Sequence, residues 1–155
     1  MGRPRRQDTA LKLWVVLARA HRAIEEHARI QVARHDLTLP EFGVLEALLH
    51  KGPLLLGELQ RKILVSSGGI TYVVDRLEGK GLVERQPCPD DRRARYVALT
   101  ASGVRLIESV FAEHAETIEL AMRGLGETEQ RALADRLRTL GTYAAGRLGV
   151  PLDPV

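Results

Sequence analysis

Residues 90–95 place two acids and three arginines in six consecutive positions, and a run of β-forming residues follows directly. An arginine at the tip of a hairpin fits the narrow, electronegative minor groove of DNA. Asp91 lies two residues before Arg93, so its carboxylate can hold that guanidinium by a charge-assisted pair. Arg92 and Arg95 would then contact the flanking phosphates. The alternative interpretation is a surface charge cluster that contributes little energy.

A second segment, residues 66–79, combines small residues with a regular apolar stripe. The stripe follows helical spacing and consists of Ile70, Val73, Val74 and Leu77. Small residues at the start let a helix N-terminus approach DNA and face a phosphate with its N–H groups. These residues are Ser66, Ser67, Gly68 and Gly69. The longer donors on the outward face are Thr71, Tyr72 and Arg76. The alternative is a solvated helix whose glycines remain from a loop.

The elements that position these residues follow from apolar periodicity. Residues from Thr9 to about Arg34 repeat apolar side chains at three- and four-residue steps without Pro or Gly, which predicts one long helix. A second helix, Leu39 to about His50, has Thr38 as its N-cap. Glu41 is placed to complete a capping box with Thr38.

The rest of the chain predicts a short third helix over residues 55–63, a fourth from residue 66, and two strands, LVERQ and RYVALT. The charged segment is the tip of the hairpin that these strands form. Thr100 caps a fifth helix, and the sixth carries a heptad-like seam, Leu133, Leu137 and Leu140. The predicted fold is mainly α-helical, with six helices plus a β-hairpin wing. Three short helices followed by a hairpin is the layout of a winged helix-turn-helix.

Length and composition fit one soluble domain, with 155 residues, 45% of them hydrophobic and 28% charged. No apolar run reaches the roughly 18 residues that span a bilayer. Charged residues interrupt the N-terminal segment, so no signal peptide is predicted and we expect a cytoplasmic protein without a membrane partner. The net charge is +3, and positive charge is concentrated in residues 1–12 and 61–95, which favours a polyanion as partner.

Two other classes of protein are less consistent with the sequence. The chain has no Ser-His-Asp ordering, no phosphate-binding glycine loop and no paired carboxylates in a cleft pattern, so neither an enzyme nor a cofactor is predicted. A winged helix that binds only protein remains an alternative, although arginines at the wing tip argue against it.

The segment SSGGITYVVDRLEGKGLVERQPCPDDRRARYVALTASG resembles the core of the MarR family of bacterial transcriptional regulators. The family signature is a wing of the form Asp-x-Arg, three residues, Val-x-Leu-Thr-x-x-Gly. It corresponds here to Asp91-Arg92-Arg93 followed by Val97, Leu99, Thr100 and Gly103. The match is strongest over residues 38–103, and the order of helices extends it to roughly 9–147.

This resemblance implies a homodimer joined through its N- and C-terminal helices and bound to a palindromic operator on double-stranded DNA. Family members are often repressors released by small aromatic or phenolic ligands, by oxidation of a cysteine or occasionally by a metal. The implied organisation is a single domain over 9–147, with a DNA-binding lobe (38–100), dimerisation helices (9–34 and 101–147), a basic tail (1–8) and a C-terminal tail (148–155).

Cys88 is the single cysteine and lies on the strand that runs to the wing tip. Nearby Arg85 and Arg92 favour a reactive thiolate, so a redox-sensing repressor is an alternative. Oxidation-sensing members of the family, however, usually carry the reactive cysteine in the first helix, where this chain has none. No two histidines have close metal-ligand spacing on one helix, and no metal site is predicted.

The effector site is expected between the dimerisation helices and the DNA-binding lobe, because a ligand there can change the spacing of two recognition helices. Apolar walls with two imidazoles and an indole suit a small aromatic acid or phenol. The candidate residues are Trp14, Leu17, His21, Phe42, Leu45, Ile107, Phe111 and His114. The alternative is that all eight are packing residues around an empty hinge.

Overall fold

The computed structural model describes residues 5–63 and 67–150, with only the backbone of residues 67 and 68. In these ranges the chain forms six helices and three strands. In order they are α1 (Arg5–Ala33), α2 (Leu39–Lys51), β1 (Leu54–Leu55), α3 (Leu56–Ile63), α4 (Ser67–Gly79), β2 (Val83–Pro87), β3 (Arg95–Leu99), α5 (Ala101–Met122) and α6 (Glu127–Arg147). None of the helices described combines the length and apolar character needed to cross a membrane.

The long first helix is confirmed, but its predicted start at Thr9 is wrong. α1 begins at Arg5, so residues 5–8 of the expected basic tail are helical. Arginine and glutamine are good helix formers, and Asp8 in the first turn interacts favourably with the positive end of the helix dipole. Residues 1–4 lie outside the described residues.

The start of α2 has the predicted capping box. The Glu41 N–H donates to Thr38 Oγ1 at 3.3 Å, and the Thr38 N–H donates to Glu41 Oε2 at 2.8 Å. Leu37 and Phe42 flank this box and are both buried, as expected of a hydrophobic staple. The staple and the box fix the first turn of α2, and they hold the Glu41 carboxylate inside the fold.

The sheet has the strand order β1-β3-β2 and is antiparallel throughout. The predicted hairpin is confirmed, with Val83 opposite Leu99 and Pro87 opposite Arg95. The sequence did not predict β1, because a strand of two residues has no periodicity to detect. Leu54 of β1 pairs with Val97, so the start of α3 is fixed against the base of the wing.

The core of the winged helix forms where α2, α3, α4, the sheet and α5 meet. The predicted apolar stripe of α4 is buried throughout, which confirms its assignment. Among the largest fully buried side chains are Leu45, Leu59, Ile70, Leu77, Val97, Ile107 and Val110. Burial of the stripe determines which face of α4 is left for solvent or for a ligand.

The start of α5 is joined to the base of the wing. The Thr100 N–H donates to the Leu82 carbonyl at 3.1 Å, and Thr100 Oγ1 donates to the Gly81 carbonyl at 2.6 Å. The same hydroxyl accepts from the Gly103 N–H at 3.1 Å. A Cβ on Gly103 would lie 2.0 Å from the Leu82 carbonyl oxygen, so only glycine permits this approach. The Thr-x-x-Gly part of the wing signature therefore joins the start of α5 to the backbone before β2.

By its contacts the chain divides into two compact units, residues 1–118 and 119–155. The single domain over 9–147 stays a prediction. In the second unit, the start of α6 is capped, since the Gly126 N–H donates to Glu129 Oε2 at 2.8 Å. No residue of α6 is buried. The predicted leucine seam, Leu133, Leu137 and Leu140, is exposed.

Candidate nucleic-acid interface

The outward face of α4 carries the donors that the sequence assigned to it. Thr71, Tyr72 and Arg76 are all exposed, and Tyr72 retains 62% of its accessible surface. Tyr72 therefore presents both an aromatic ring and a hydroxyl group to solvent beside Arg76. The polar face of α4 is therefore presented outward by the burial of the opposite stripe.

The small residues at the start of α4 are only partly described. Ser66 lies outside the described residues, and Ser67 is the first residue of the helix. Gly68 lies in its first turn, and Gly69 is half-buried. The predicted role of these four residues at a phosphate stays a prediction.

Arg76 is held in place from within the fold. Its Nε donates to Glu41 Oε1 at 2.9 Å, and its guanidinium carbon lies 5.9 Å from the centre of the Tyr72 ring. The Arg76 side chain is 44% exposed, whereas that of Glu41 is 1% exposed. The hydrogen bond to Glu41 raises the pKa of Arg76, and Tyr72 adds to this effect.

The wing tip differs from the prediction in the role of Asp91. No ion pair joins Asp91 to Arg93 within residues 5–63 and 67–150. Asp91 Oδ1 instead accepts the Arg93 backbone N–H at 2.8 Å. A carboxylate two residues before an amide closes a turn of its own more readily than it reaches an exposed guanidinium. Asp91 thus holds the backbone of the loop that carries Arg93. It does not hold the Arg93 guanidinium.

Arg95 also behaves differently from the expectation that it would extend toward phosphate. Its Nη1 donates to the carbonyls of Arg92 (2.8 Å) and Ala94 (2.9 Å), so the side chain folds back over the wing tip. Arg92 and Arg93 are exposed. In the chain as described, Arg95 stabilises the loop.

Arg85 of β2 ties the wing to α4, a role that the sequence analysis missed. It forms ion pairs with Asp75, at 2.5 Å, and with Glu78. Burial alone would lower the pKa of Arg85, but Asp75 and Glu78 raise it. The sequence does contain the two acids, Asp75 and Glu78, about one helical turn apart on α4, and an arginine on the following strand. Only the hairpin register, however, brings them together.

A surface depression of about 460 Å³ lies where α3, α4 and the wing meet. Among its lining residues are Thr71 of α4, Arg93 and Arg95 of the wing, Arg85 of β2 and Arg61 of α3. Four arginines, one from α3 and three from the wing, thus border one concave surface together with a single acid, Glu58. Arg85 is paired with Asp75 and Glu78, so the positive charge of this surface comes mainly from the other three arginines. Arg61 was not predicted, because a single arginine near the end of a short helix has no motif around it.

The candidate effector residues fall into two groups. Phe42, Leu45 and Ile107 are buried in the core. His114 packs on Phe42 with ring centres 4.5 Å apart, and burial lowers its pKa. Phe111 packs against this core and contacts His50 edge to face at 4.9 Å.

The α1 members of the predicted effector site are placed differently. Trp14 is 68% exposed and His21 is exposed, while Leu17 is half-buried. Neither the indole nor the His21 imidazole is therefore enclosed within a single chain. The predicted combination of an indole, imidazoles and apolar walls in one pocket stays a prediction.

Cys88 is half-buried at the end of the hairpin and lies beside Tyr96. The electrostatic interaction with Cys88 is the largest cause that raises the pKa of Tyr96, and burial and a hydrogen bond to Cys88 add to it. Arg85, expected to favour a thiolate at Cys88, is bound to acids of α4. In the ranges that the structure covers, no three His, Cys, Asp or Glu side chains converge to hold a metal.

Comparison with known proteins places this surface in context. The family model described as MarR family matches residues 37–94. The HTH-type transcriptional regulator MhqR of Bacillus subtilis is 40% identical over 137 residues, which cover 88% of this chain and 94% of that protein. The HTH-type transcriptional repressor NicR of Pseudomonas putida is 33% identical over 122 residues, 77% of each chain.

Among solved structures, Bordetella bronchiseptica BpsR is similar in fold, with a TM-score of 0.75 and 27% identity. The match covers 84% of this chain and 98% of that one. The DNA binding of that protein is regulated by 6-hydroxynicotinic acid.

Proposed function

Because the chain belongs to the MarR family of DNA-binding transcriptional regulators, we propose that it is a repressor that binds a palindromic operator as a homodimer and is released by a small aromatic or phenolic ligand. The observation that carries the DNA-binding part is the convergence of Arg61, Thr71, Arg85, Arg93 and Arg95 on one concave surface. Repression agrees with the name of the relative NicR, a transcriptional repressor.

In the proposed complex, the exposed face of α4 enters the major groove and the wing tip lies along the adjacent minor groove. Thr71, Tyr72 and Arg76 face base edges and nearby phosphates. Arg93 at the tip enters the minor groove, where a guanidinium is attracted by the negative potential of a narrow groove. Arg92 supplies a phosphate contact beside it.

The homodimer is proposed to form through α1 and α6, because these helices expose apolar side chains that a soluble chain normally covers. Leu13, Trp14 and Val16 of α1 are exposed, and so is the leucine seam of α6. Leucines at four- and three-residue steps form the stripe that packs against another helix. Two copies joined in this way would present two α4 helices to successive major grooves.

The DNA-binding proposal is tested by selecting from a library of random duplexes with the purified full chain. We expect enrichment of an inverted repeat with half-site centres about one helical turn apart. Affinity for the selected duplex should fall steeply with salt, with about six to ten phosphates neutralised per dimer. Failure to enrich any sequence, or affinity that does not change with salt, contradicts the proposal.

The effector is proposed to bind between the dimerisation helices α1 and α5 and helix α2 of the DNA-binding lobe, beside Trp14, His21 and His114. Support comes from the exposed indole of Trp14 and from BpsR, whose DNA binding is regulated by a hydroxylated aromatic acid. Trp14 is the single tryptophan, so its fluorescence reports directly on this site.

The effector site is tested by titrating hydroxybenzoic acids and simple phenols while tryptophan emission and operator binding are followed. One compound should shift the emission and weaken operator binding, and Trp14→Ala should make operator binding less sensitive to that compound. His21→Ala should blunt the release from DNA. If an active compound leaves Trp14 emission unchanged and acts equally on the His21 variant, the effector binds elsewhere.

A further inference from the structure

Glu41 of α2 is a buried carboxylate whose partners are the N-cap residue of its own helix, a residue of α4 and the residue that follows α4. Its side chain is 1% exposed. Oε1 accepts from Arg76 Nε at 2.9 Å, while Oε2 accepts from the Thr38 N–H at 2.8 Å and from Lys80 Nζ at 3.2 Å. Lys80 also bonds to Asp36, so the end of α4 is tied to the turn before α2.

A charge in this position is stable only because it is fully paired. An isolated carboxylate loses several kcal/mol of solvation on burial, and the loss is offset only by close cations and hydrogen-bond donors. The capping box alone requires only the contact between Thr38 and Glu41, which exposed glutamates also make. Glu129 caps α6 in this way without any ion pair among the described residues. The two cations are therefore a feature of Glu41 beyond helix capping.

The two cations serve different regions. The Lys80 side chain is 22% exposed and its ammonium is directed at Asp36 and Glu41. The Arg76 side chain is 44% exposed and uses only Nε toward Glu41, so this contact does not consume its terminal Nη groups. The Arg76 guanidinium also lies against the Tyr72 ring on the outward face of α4. A contact made in the core therefore sets the pose of a side chain on the surface.

We infer that Glu41 is a positioning residue for DNA recognition: its buried carboxylate fixes the guanidinium of Arg76, and through it the Tyr72 ring, before DNA is bound. This inference rests on the proposed function of α4. Long side chains lose conformational freedom when they bind, and a side chain that is already held loses less. Arg76 is thus pre-organised, whereas the Arg93 guanidinium has no such anchor from Asp91.

The inference is tested by a double-mutant cycle on binding to the duplex selected by the wild-type chain. Glu41→Gln retains the size of the side chain and an acceptor for Thr38 but removes the charge that holds Arg76. It should weaken binding about tenfold in the wild-type background and less than about twofold in the Arg76→Met background. Binding is measured at a temperature at which circular dichroism shows every variant to be folded.

Lys80→Met is the matched control, because it removes the other cation from the same carboxylate. It should lower the urea midpoint of unfolding and leave DNA affinity within about twofold of wild type. If Arg76→Met is too unstable, Arg76→Lys replaces it. Lysine keeps a charge opposite Glu41 but lacks the terminal guanidinium, so Arg76→Lys should bind DNA weakly and be insensitive to Glu41→Gln.

Three results overturn the inference. Glu41→Gln binds like wild type, or it weakens binding equally in both backgrounds, or Lys80→Met weakens binding as much as Glu41→Gln. The last two would mean that the carboxylate acts only through general stability. A wild-type chain that enriches no duplex would instead refute the proposed function, so the two failures are distinguishable.

Discussion

In the winged-helix lobe, residues 38–100, the apolar stripe of α4 is buried and every helix packs on a common core, whereas α6 buries none of its residues. Both regions have regular helical spacing of leucine, isoleucine or valine. In the lobe, the apolar stripe of α4 is buried by residues of the same chain. The leucines of α6 remain exposed, although they follow the same kind of pattern.

This difference shows that an amphipathic pattern can mark either a helix face buried within its own chain or a face that its own chain leaves exposed. A stripe predicts that a helix face will be covered, but it does not say which chain covers it. In the lobe the cover is α2, α3, the sheet and α5 of the same chain. For α6 the proposed cover is a second copy, and the following changes test each half of this contrast.

The largest effect is expected from charging the α6 seam with Leu133→Glu and Leu137→Glu together. The proposed dimer should dissociate, because two carboxylates would be buried without partners at its interface. Operator binding should fall by about 100-fold or more, since the second half-site contact is lost. Sedimentation and DNA titration measure the two effects. Thr139→Glu, on the other side of the helix, should remain dimeric, and a dimeric double variant would contradict the proposed interface.

Within the lobe, Gly103→Ala should lower the free energy of unfolding by about 3 kcal/mol, the upper range for overpacking. The added Cβ would collide with the Leu82 carbonyl oxygen, which is backbone and has little freedom to move. Gly57→Ala is the control, since its Cβ would meet nothing within 4 Å. Urea unfolding should show Gly57→Ala to be neutral or slightly stabilised. Equal midpoints for both variants would disprove the junction described for α5.

Arg93→Ala should weaken operator binding by about 1–3 kcal/mol through loss of the minor-groove contact. Asp91→Ala should have a smaller effect, because Asp91 holds the backbone of the tip and not the guanidinium. Fluorescence anisotropy with the selected duplex measures both. Wild-type affinity in the Arg93 variant would show that the wing does not contact DNA.

The smallest effect concerns acid stability. Burial would raise the pKa of the Glu41 carboxyl, but the Thr38 N–H, Arg76 and Lys80 together lower it below its ordinary value of 4.5. A lowered pKa in the folded state stabilises the protein above pH 4.5, and this stabilisation is lost as the pH falls through the folded value. The stability difference between wild type and Glu41→Gln should therefore shrink below pH 4.5 in urea titrations. A difference that grows on acidification would contradict the direction of the shift.

Sequence patterns predicted the parts of the fold that depend on local spacing. The capping box at Thr38, the buried stripe of α4 and the hairpin were confirmed because each is encoded within a few residues. The start of α1 was placed too late, since Arg5–Asp8 has helix propensity without apolar periodicity. The two residues of β1 were missed because their pairing with β3 is a long-range property.

The sequence predicted which residues of the candidate interface face outward, but it did not predict which residues they contact. Thr71, Tyr72 and Arg76 are outward-facing as expected. The contacts between Arg76 and Glu41, and between Arg85 and Asp75, join residues 35 and 10 positions apart, so tertiary packing alone defines them. The sequence analysis paired the Asp91 carboxylate with the Arg93 guanidinium. In the structure the carboxylate accepts the Arg93 backbone N–H, a contact that the geometry of a tight turn favours.

The junction at Thr100 and Gly103 has a mechanical consequence. With 22 residues, α5 is a rod about 33 Å long. Thr100, the residue before this helix, donates to the carbonyls of residues 81 and 82, directly before β2. These bonds leave no free loop between the N-terminal end of α5 and the base of the wing. A displacement of the first turn of α5 would therefore displace the backbone at residues 81 and 82, from which β2 leads to the wing tip.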